Sequence, residues 1–387
     1  MKVLMINTVC GISSTGRICT DLAAALEAQG HEIKIAFGRA EVPGKFQKYA
    51  VRIGGYLSVK CHALGTRLFD GSGFGSRKAT QRFIEWVKEY DPDVIHLHNI
   101  HGNYLNIEIL FDYLRTCGKK IFWTLHDCWA FTGHAAYCEA AACERWKDGC
   151  FDCPKKKDYP ISITDNSRKN WIRKKEIFSG IPNLILITPS KWLADLAGQS
   201  FLSQYEVKVI NNGVDINVFK PTESDVKRRL KIEDKKIILG VAAFWEERKG
   251  LTDFYTLAKK LDDRYRIVLV GLSKKQIDCL PDGITGIERT GSVQALAELY
   301  SAADVYFNPT YEDNYPTTNL EAIACGTPVV SYKTGGSGES AEIYGKAINK
   351  GDLSELMALL DRPDVFDRKE KDISVTRFVN DYLHLYS

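Results

Sequence analysis

Residues 309–336 read Pro309-Thr310-Tyr311-Glu312-Asp313-Asn314-Tyr315-Pro316-Thr317-Thr318-Asn319-Leu320-Glu321-Ala322-Ile323-Ala324-Cys325-Gly326-Thr327-Pro328-Val329-Val330-Ser331-Tyr332-Lys333-Thr334-Gly335-Gly336. Pro316 and two threonines offer a helix start, Leu320, Ile323 and Ala324 repeat at helical spacing, and Gly326 followed by Pro328 ends the helix. Val329-Val330-Ser331-Tyr332 is then a short buried strand, so the stretch is one loop–helix–strand unit. A helix start that follows a polar loop aims backbone N–H groups and the positive end of the dipole at one spot, which suits a phosphate. Asp313 and Glu321 flank that spot, one carboxylate in the loop and the other about one turn into the helix. Taken alone, two such acids do no more than complement the dipole and cap the helix.

Outward from this stretch, the chain has 387 residues, too many for one ordinary core, and two domains are the natural expectation. Its 44% apolar content supports globular folding, and 52 basic against 49 acidic residues are too balanced for a dedicated nucleic-acid binder. No apolar run approaches a membrane span, and the first residues read as a strand rather than a signal peptide. A cytoplasmic protein is expected. Eleven cysteines, an odd number, then argue for reduced thiols over a disulfide framework.

The N-terminal half opens with the buried strand Val3-Leu4-Met5-Ile6, a loop from Thr8 to Gly16, a helix from Ile18 to Gln29 ending at Gly30, and the strand Ile33–Phe37. Strand, glycine-containing loop, helix and strand make a right-handed parallel unit, so this half is expected to be Rossmann-like, and the chain α/β. The strands Val94–Leu97 and Ile121–Leu125 run into His98, Asn99, His101, His126 and Asp127, placed where parallel sheets put ligands, at the carboxyl ends of strands. Asp91-Pro92-Asp93 joins a helix to a strand and reads as a turn rather than a metal-binding pair. Asn211-Asn212-Gly213, with Pro221 beyond, suits a linker, and Ile237–Val241 restarts a second domain.

The run Leu320-Glu321-Ala322-Ile323-Ala324-Cys325-Gly326-Thr327-Pro328-Val329-Val330 closely resembles the acidic signature of retaining glycosyltransferases of the two-domain B type, in the polysaccharide and lipopolysaccharide subgroup of glycosyltransferase family four. In that family the signature is Glu, seven residues, Glu; here Asp313 stands at the first position and keeps the charge with a shorter reach. The resemblance implies a GT-B fold, two facing Rossmann-like domains with a cleft between them. It divides the chain into an N-terminal acceptor domain, 1–210, a nucleotide-sugar-binding domain, 211–370, and a C-terminal helix, 371–387, that crosses back to the first domain. It implies transfer of a hexosyl unit from a nucleotide-diphosphate sugar to a glycan or lipid-linked acceptor, with retention and without a catalytic metal.

Residue by residue, it implies that Lys249 and Arg248 clamp the donor diphosphate, although the family's usual arginine position here holds Phe244 or Trp245. Thr317 and Thr318 offer the helix N-terminus to the phosphates, Asn314 lies beside them, and Glu321 takes the ribose. Asp313 and His126 hold the sugar, and Asp313, His126 and Lys249 form the expected catalytic set. Gly16 belongs to the loop that lets the first helix approach the donor, and Val293 to the loop that holds the nucleobase. Two rivals use the same fold: a nucleotide-sugar epimerase or hydrolase, and a non-catalytic nucleotide-sugar-binding protein.

Two segments are not absorbed by this reading. Cys138, Cys143, Cys150 and Cys153 form an insertion, 138–153, with the count and spacing of a compact four-cysteine zinc site, structural because four thiolates leave zinc no open position; free thiols are the alternative. Residues 45–88 carry Lys45, Lys48, Arg52, Lys60, Arg67, Arg77, Lys78 and Arg82 among aromatic and apolar side chains, and Lys155-Lys156-Lys157 adds to the same charge. Such a surface suits an anionic membrane or a lipid-diphosphate acceptor, with a solvated helical surface as the plain alternative.

Overall fold

A computed structural model describes residues 1–386, which divide into two compact units: Met1–Ile210 with Val379–Ser387, and Asn211–Phe378. The first holds seven parallel strands, β1 (Lys2–Ile6), β2 (Glu32–Phe37), β3 (Ala50–Arg52), β4 (Val94–Leu97), β5 (Lys120–Thr124), β6 (Leu184–Thr188) and β7 (Val207–Val209). They lie in the order β3-β2-β1-β4-β5-β6-β7. Its helices are α1 (Ser13–Ala28), α2 (Tyr56–Phe69), α3 (Arg77–Tyr90), α4 (Ile107–Thr116), α5 (Ser167–Phe178) and α6 (Lys191–Gly198). Val3, Leu4 and Met5 are wholly buried, as expected of a parallel strand covered on both faces.

The second unit holds β8 (Lys236–Val241), β9 (Tyr265–Val270), β10 (Ile284–Ile287), β11 (Val305–Asn308), β12 (Val329–Tyr332) and β13 (Gly345–Ile348) in the parallel order β10-β9-β8-β11-β12-β13. Around it run α7 (Val226–Arg229), α8 (Leu251–Ala258), α9 (Lys274–Ile277), α10 (Val293–Ala302), α11 (Thr317–Ala324), α12 (Ser337–Ala341) and α13 (Leu353–Leu360). The last helix, α14 (Val375–Tyr386), starts in this unit and ends in the first. In each sheet the strand order reverses once, beside β1 and β4 in one unit and beside β8 and β11 in the other. Such switch points open a crevice at the carboxyl ends of the strands.

The first helix departs from expectation. It begins at Ser13, not Ile18, so Gly16 is a buried residue of its first turn rather than part of the loop. No side chain caps this start, which is why the sequence carries no signal for it. Gly16 accepts the Gly11 N–H at 3.1 Å, and a Cβ on Gly16 would stand 3.2 Å from that nitrogen. Glycine here lets the loop fold back over the helix.

The cysteine insertion packs partly into the core. Among the described residues no group of three or more His, Cys, Asp or Glu is placed to hold a metal ion, and all eleven cysteines are free thiols. Cys138 and Cys150 are buried in the core with Phe131, Trp146 and Trp171, and the Cys150 sulfur accepts the Gly133 N–H. Burial pushes the Cys150 thiol up to about 12 and the Cys153 thiol up to about 11. Only Cys61 and Cys279 are exposed.

Candidate functional site

In the second unit, the switch point joins two loops. Tyr311 N–H donates to the Arg248 carbonyl at 2.7 Å, and the Arg248 Nη1 donates to the Glu312 carbonyl at 3.3 Å. The approach depends on Gly250, at φ +73°, where a Cβ would lie 2.2 Å from the Pro309 carbonyl oxygen. The glycine also ends the short 3₁₀ turn Glu247–Lys249 and starts α8, so Lys249 is turned toward the loop after β11. Its Nζ meets Asp313 Oδ2 at 2.5 Å, with both side chains mostly shielded. Lys249 and Asp313, read from separate segments of the sequence, thus form one ion pair.

Behind this pair stands α11. Pro316 is its N-cap and offers no capping side-chain bond, so its first-turn N–H groups suit an anion. Thr317 and Thr318 begin the helix, and Glu321, at 5% exposure, lies one turn in. Tyr300 on α10 donates its hydroxyl to Glu321 Oε2 at 3.0 Å. Asn314 is buried in the preceding loop. Val293 is the first residue of α10 and is half-exposed at 49%; the residue of α10 brought to Glu321 is Tyr300.

Asn319 was not singled out by the sequence, yet it anchors α11. Its Oδ1 accepts from Asn308 Nδ2 at 2.8 Å and its Nδ2 donates to Ser340 Oγ at 2.9 Å, tying the helix to β11 and α12. A fully buried asparagine is costly unless paired, and this one is paired at both ends.

In the first unit, the switch point gathers histidines. Thr8 Oγ1 donates to the carbonyls of Asn99 and His101, so the loops after β1 and β4 are tied together. His126, just past β5, is hydrogen-bonded through Nε2 to His98 Nδ1 at 3.1 Å, their rings stacked. His101 donates from Nε2 to Asp127 Oδ2 at 3.0 Å, and Asp127 Oδ1 accepts the Trp129 N–H. Burial pushes His126 down to about 4, with Asp127 opposing and His101 adding to the shift. Burial first, then the neighbouring His96 and His126, hold His98 well below its ordinary value. Burial raises Asp127, but the His101 pair and the Trp129 N–H outweigh it and keep the carboxylate below its ordinary range. Near neutrality His98 and His126 are therefore uncharged, beside the Asp127 carboxylate.

Two supports here were invisible in sequence. His96 bonds the Tyr386 hydroxyl through Nδ1 at 2.5 Å and Thr124 through Nε2 at 2.8 Å, and Thr124 bonds the Tyr382 hydroxyl. Lys174, wholly buried on α5, donates to the Trp129 and Thr132 carbonyls and sits 3.4 Å from the centre of the Trp129 ring. It fixes the loop that follows His126. Lys174 sits in a basic stretch where nothing distinguishes it from surface residues, and the partners of His96, on an apolar strand, lie far along the chain.

Known proteins carry the same pattern. The profile for Glycosyltransferase Family 4 matches residues 15–218, and that for Glycosyl transferases group 1 matches residues 235–362. A candidate colanic acid biosynthesis glycosyl transferase, WcaC, of Escherichia coli (strain K12) is 25% identical over 385 residues, covering 94% of this chain and 91% of that one. N,N'-diacetylbacillosaminyl-diphospho-undecaprenol alpha-1,3-N-acetylgalactosaminyltransferase of Campylobacter jejuni is 31% identical over 177 residues, 41% of this chain and 46% of that one. The solved structure of Anabaena Alr3699/HepE in complex with UDP and glucose has a TM-score of 0.67 at 14% identity, covering 100% of this chain and 99% of that one. With two Rossmann-like units of the GT-B fold and a family profile spanning more than half its length, the chain belongs to Glycosyltransferase Family 4.

Proposed function

We propose that the chain moves a hexosyl unit from a nucleotide-diphosphate sugar to a hydroxyl of a glycan or lipid-linked acceptor, with retention of anomeric configuration. The Lys249–Asp313 pair, held at the switch point of β8 and β11 beside the uncapped start of α11, carries this reading. The second unit takes the nucleotide diphosphate and the first the acceptor. When the bond between the anomeric carbon and the phosphate oxygen breaks, negative charge grows on the diphosphate. Lys249, Arg248 and the N–H groups of Thr317 and Thr318 stabilise that charge. The acceptor oxygen bonds the anomeric carbon from the side the diphosphate leaves, and its proton passes to the departing phosphate oxygen.

Glu321, fixed by Tyr300, accepts from the ribose, and Asn314 lines the same loop. Neutral His126 hydrogen-bonds a sugar hydroxyl, and Asp313 also holds the sugar. Similarity to a relative named for a diphospho-undecaprenol acceptor supports a lipid-linked acceptor. Among the described residues no helix is long and apolar enough to cross a membrane. Incubation with UDP- and GDP-sugars and a membrane lipid extract, followed by NMR of the product, tests the reading. Product with the donor's anomeric configuration is expected; an inverted product overturns retention, and donor consumed without any acceptor points to an epimerase or hydrolase instead.

A further inference from the structure

We propose that the outer face of α2, with the adjoining 155–163 loop, is a docking surface for an anionic phospholipid bilayer. This rests on the lipid-linked acceptor proposed above and adds where the chain would touch lipid.

α2 is inverted relative to an ordinary surface helix. Its polar residues face inward: His62 accepts the Gly73 and Gly75 N–H groups, and Thr66 donates to Asn103 Oδ1 at 2.6 Å. Its large apolar residues face water, with Tyr56 68%, Leu57 74%, Leu64 58% and Phe69 65% exposed. Tyr56, Lys60, Leu64 and Arg67 follow one another at helical spacing on that face, and Tyr56–Phe69 contains no acid. Contiguous exposed apolar surface of this kind marks an interaction site.

The patch continues beyond the helix. Ile163 N–H donates to the Arg67 carbonyl at 2.8 Å and Thr164 Oγ1 to the Leu68 carbonyl at 2.9 Å, which sets exposed Ile161 and Ile163 beside the carboxyl end of α2. Ser162 N–H donates to the Lys156 carbonyl, bringing Lys155–Lys157 to the same place. Of the nearest acids, Asp158 is exposed in the same loop and offsets Lys155, whereas Asp165 accepts the Cys153 and Ser167 N–H groups and Asp70 is buried against His134.

Charge selects the occupant. A second copy of the face would set Lys60, Arg67, Lys156 and Lys157 against their own kind, because a two-fold contact is self-matching. An anionic headgroup layer satisfies them all, while the leucines and isoleucines enter the acyl boundary and the lysine and arginine stems reach back to the phosphates. Beside the helix, a groove of about 530 Å³ lined by Cys61, Phe69, Phe74 and Lys78 offers further apolar surface at the same level.

Co-sedimentation with vesicles of phosphatidylglycerol, against vesicles of phosphatidylcholine, tests the assignment. Binding to the anionic vesicles alone, weakening as salt rises, is expected. Leu57→Ser with Leu64→Ser should weaken it at least about tenfold at every salt concentration, and Lys60→Glu with Arg67→Glu should remove most of the salt-sensitive part. No binding by the unaltered chain at low ionic strength, binding that both double variants keep, or a solution dimer that the Leu57/Leu64 variant dissolves would each overturn it. UDP-induced thermal stabilisation is measured in parallel and should be unchanged in both variants. Vesicle binding without any UDP effect in the unaltered chain would sink the donor site while leaving the docking surface standing.

Discussion

All eight histidines of the chain lie in the first unit, and residues 211–378 contain none. The switch point of the first unit is built from buried neutral imidazoles, and that of the second from a lysine, an arginine and carboxylates. Under the proposed function the two halves are matched to different chemistry. A sugar hydroxyl carries no charge and is best read by neutral donors and acceptors, whereas a diphosphate gains charge as it leaves and calls for fixed cations. The same fold, folded twice, has been furnished for two tasks.

Acid should separate the halves most strongly. Burial holds His62 near 4 and His96 near 3, against an ordinary value near 6.5. A depressed histidine favours the neutral form in the folded state, so its contribution is present above pH 6.5 and is lost as pH falls toward the folded value. At pH 5 each of these two costs about 2 kcal/mol. Asp127, depressed as a carboxylate, loses its contribution in the same direction at lower pH. Hydrogen exchange resolved to each unit should show the first opening as pH drops from 6.5 to 5 while the second holds. Parallel loss in both would erase the comparison.

Lys249→Ala should lower turnover on the order of a hundredfold or more with a smaller change in donor affinity, since a leaving-group cation acts mainly in the transition state. Steady-state kinetics decide this, and a loss confined to KM would move Lys249 from chemistry to binding. Glu321→Gln should weaken binding of the nucleoside diphosphate by about tenfold or more, hydrogen bonds to a charged group being worth roughly 1.5–3 kcal/mol, and leave the saturated rate closer to normal. Calorimetric titration with UDP checks it; unchanged affinity would end the ribose role. Asp313→Asn is the gentlest probe. Released from its partner, Lys249 should bind UDP a few-fold more tightly while turnover falls, and a drop in both would mean that Asp313 serves only to hold the lysine in place.

The sequence made the two Rossmann-like units legible because parallel strands buried on both faces, such as Val3–Ile6 and Ile267–Val270, read as unbroken apolar runs. It also made α11 legible through Pro316, Gly326 and Pro328. The start of α1 was hidden because no side chain caps it. The cysteines of 138–153 are legible in sequence as a cluster, but the aromatic packing that takes Cys138 and Cys150 inward is not. Tyr300 and Asn319 escaped notice because their partners, Glu321 and Ser340, stand 21 residues away along the chain. Lys174 escaped because a lysine on a basic helix looks solvated until the ring beneath it is known.

Of the eleven thiols, the two that are exposed fall one to each unit, Cys61 on α2 and Cys279 beyond α9, while Cys117, Cys143 and Cys153 are partly buried. Maleimide dyes should therefore label the unaltered chain first and fastest at two defined points. An environment-sensitive fluorophore at Cys61 would brighten as α2 meets lipid, and the same fluorophore at Cys279 would serve as the internal reference. A donor and acceptor pair split between them would turn the separation of the two units into an optical signal, readable as nucleotide is added, with no engineered cysteine.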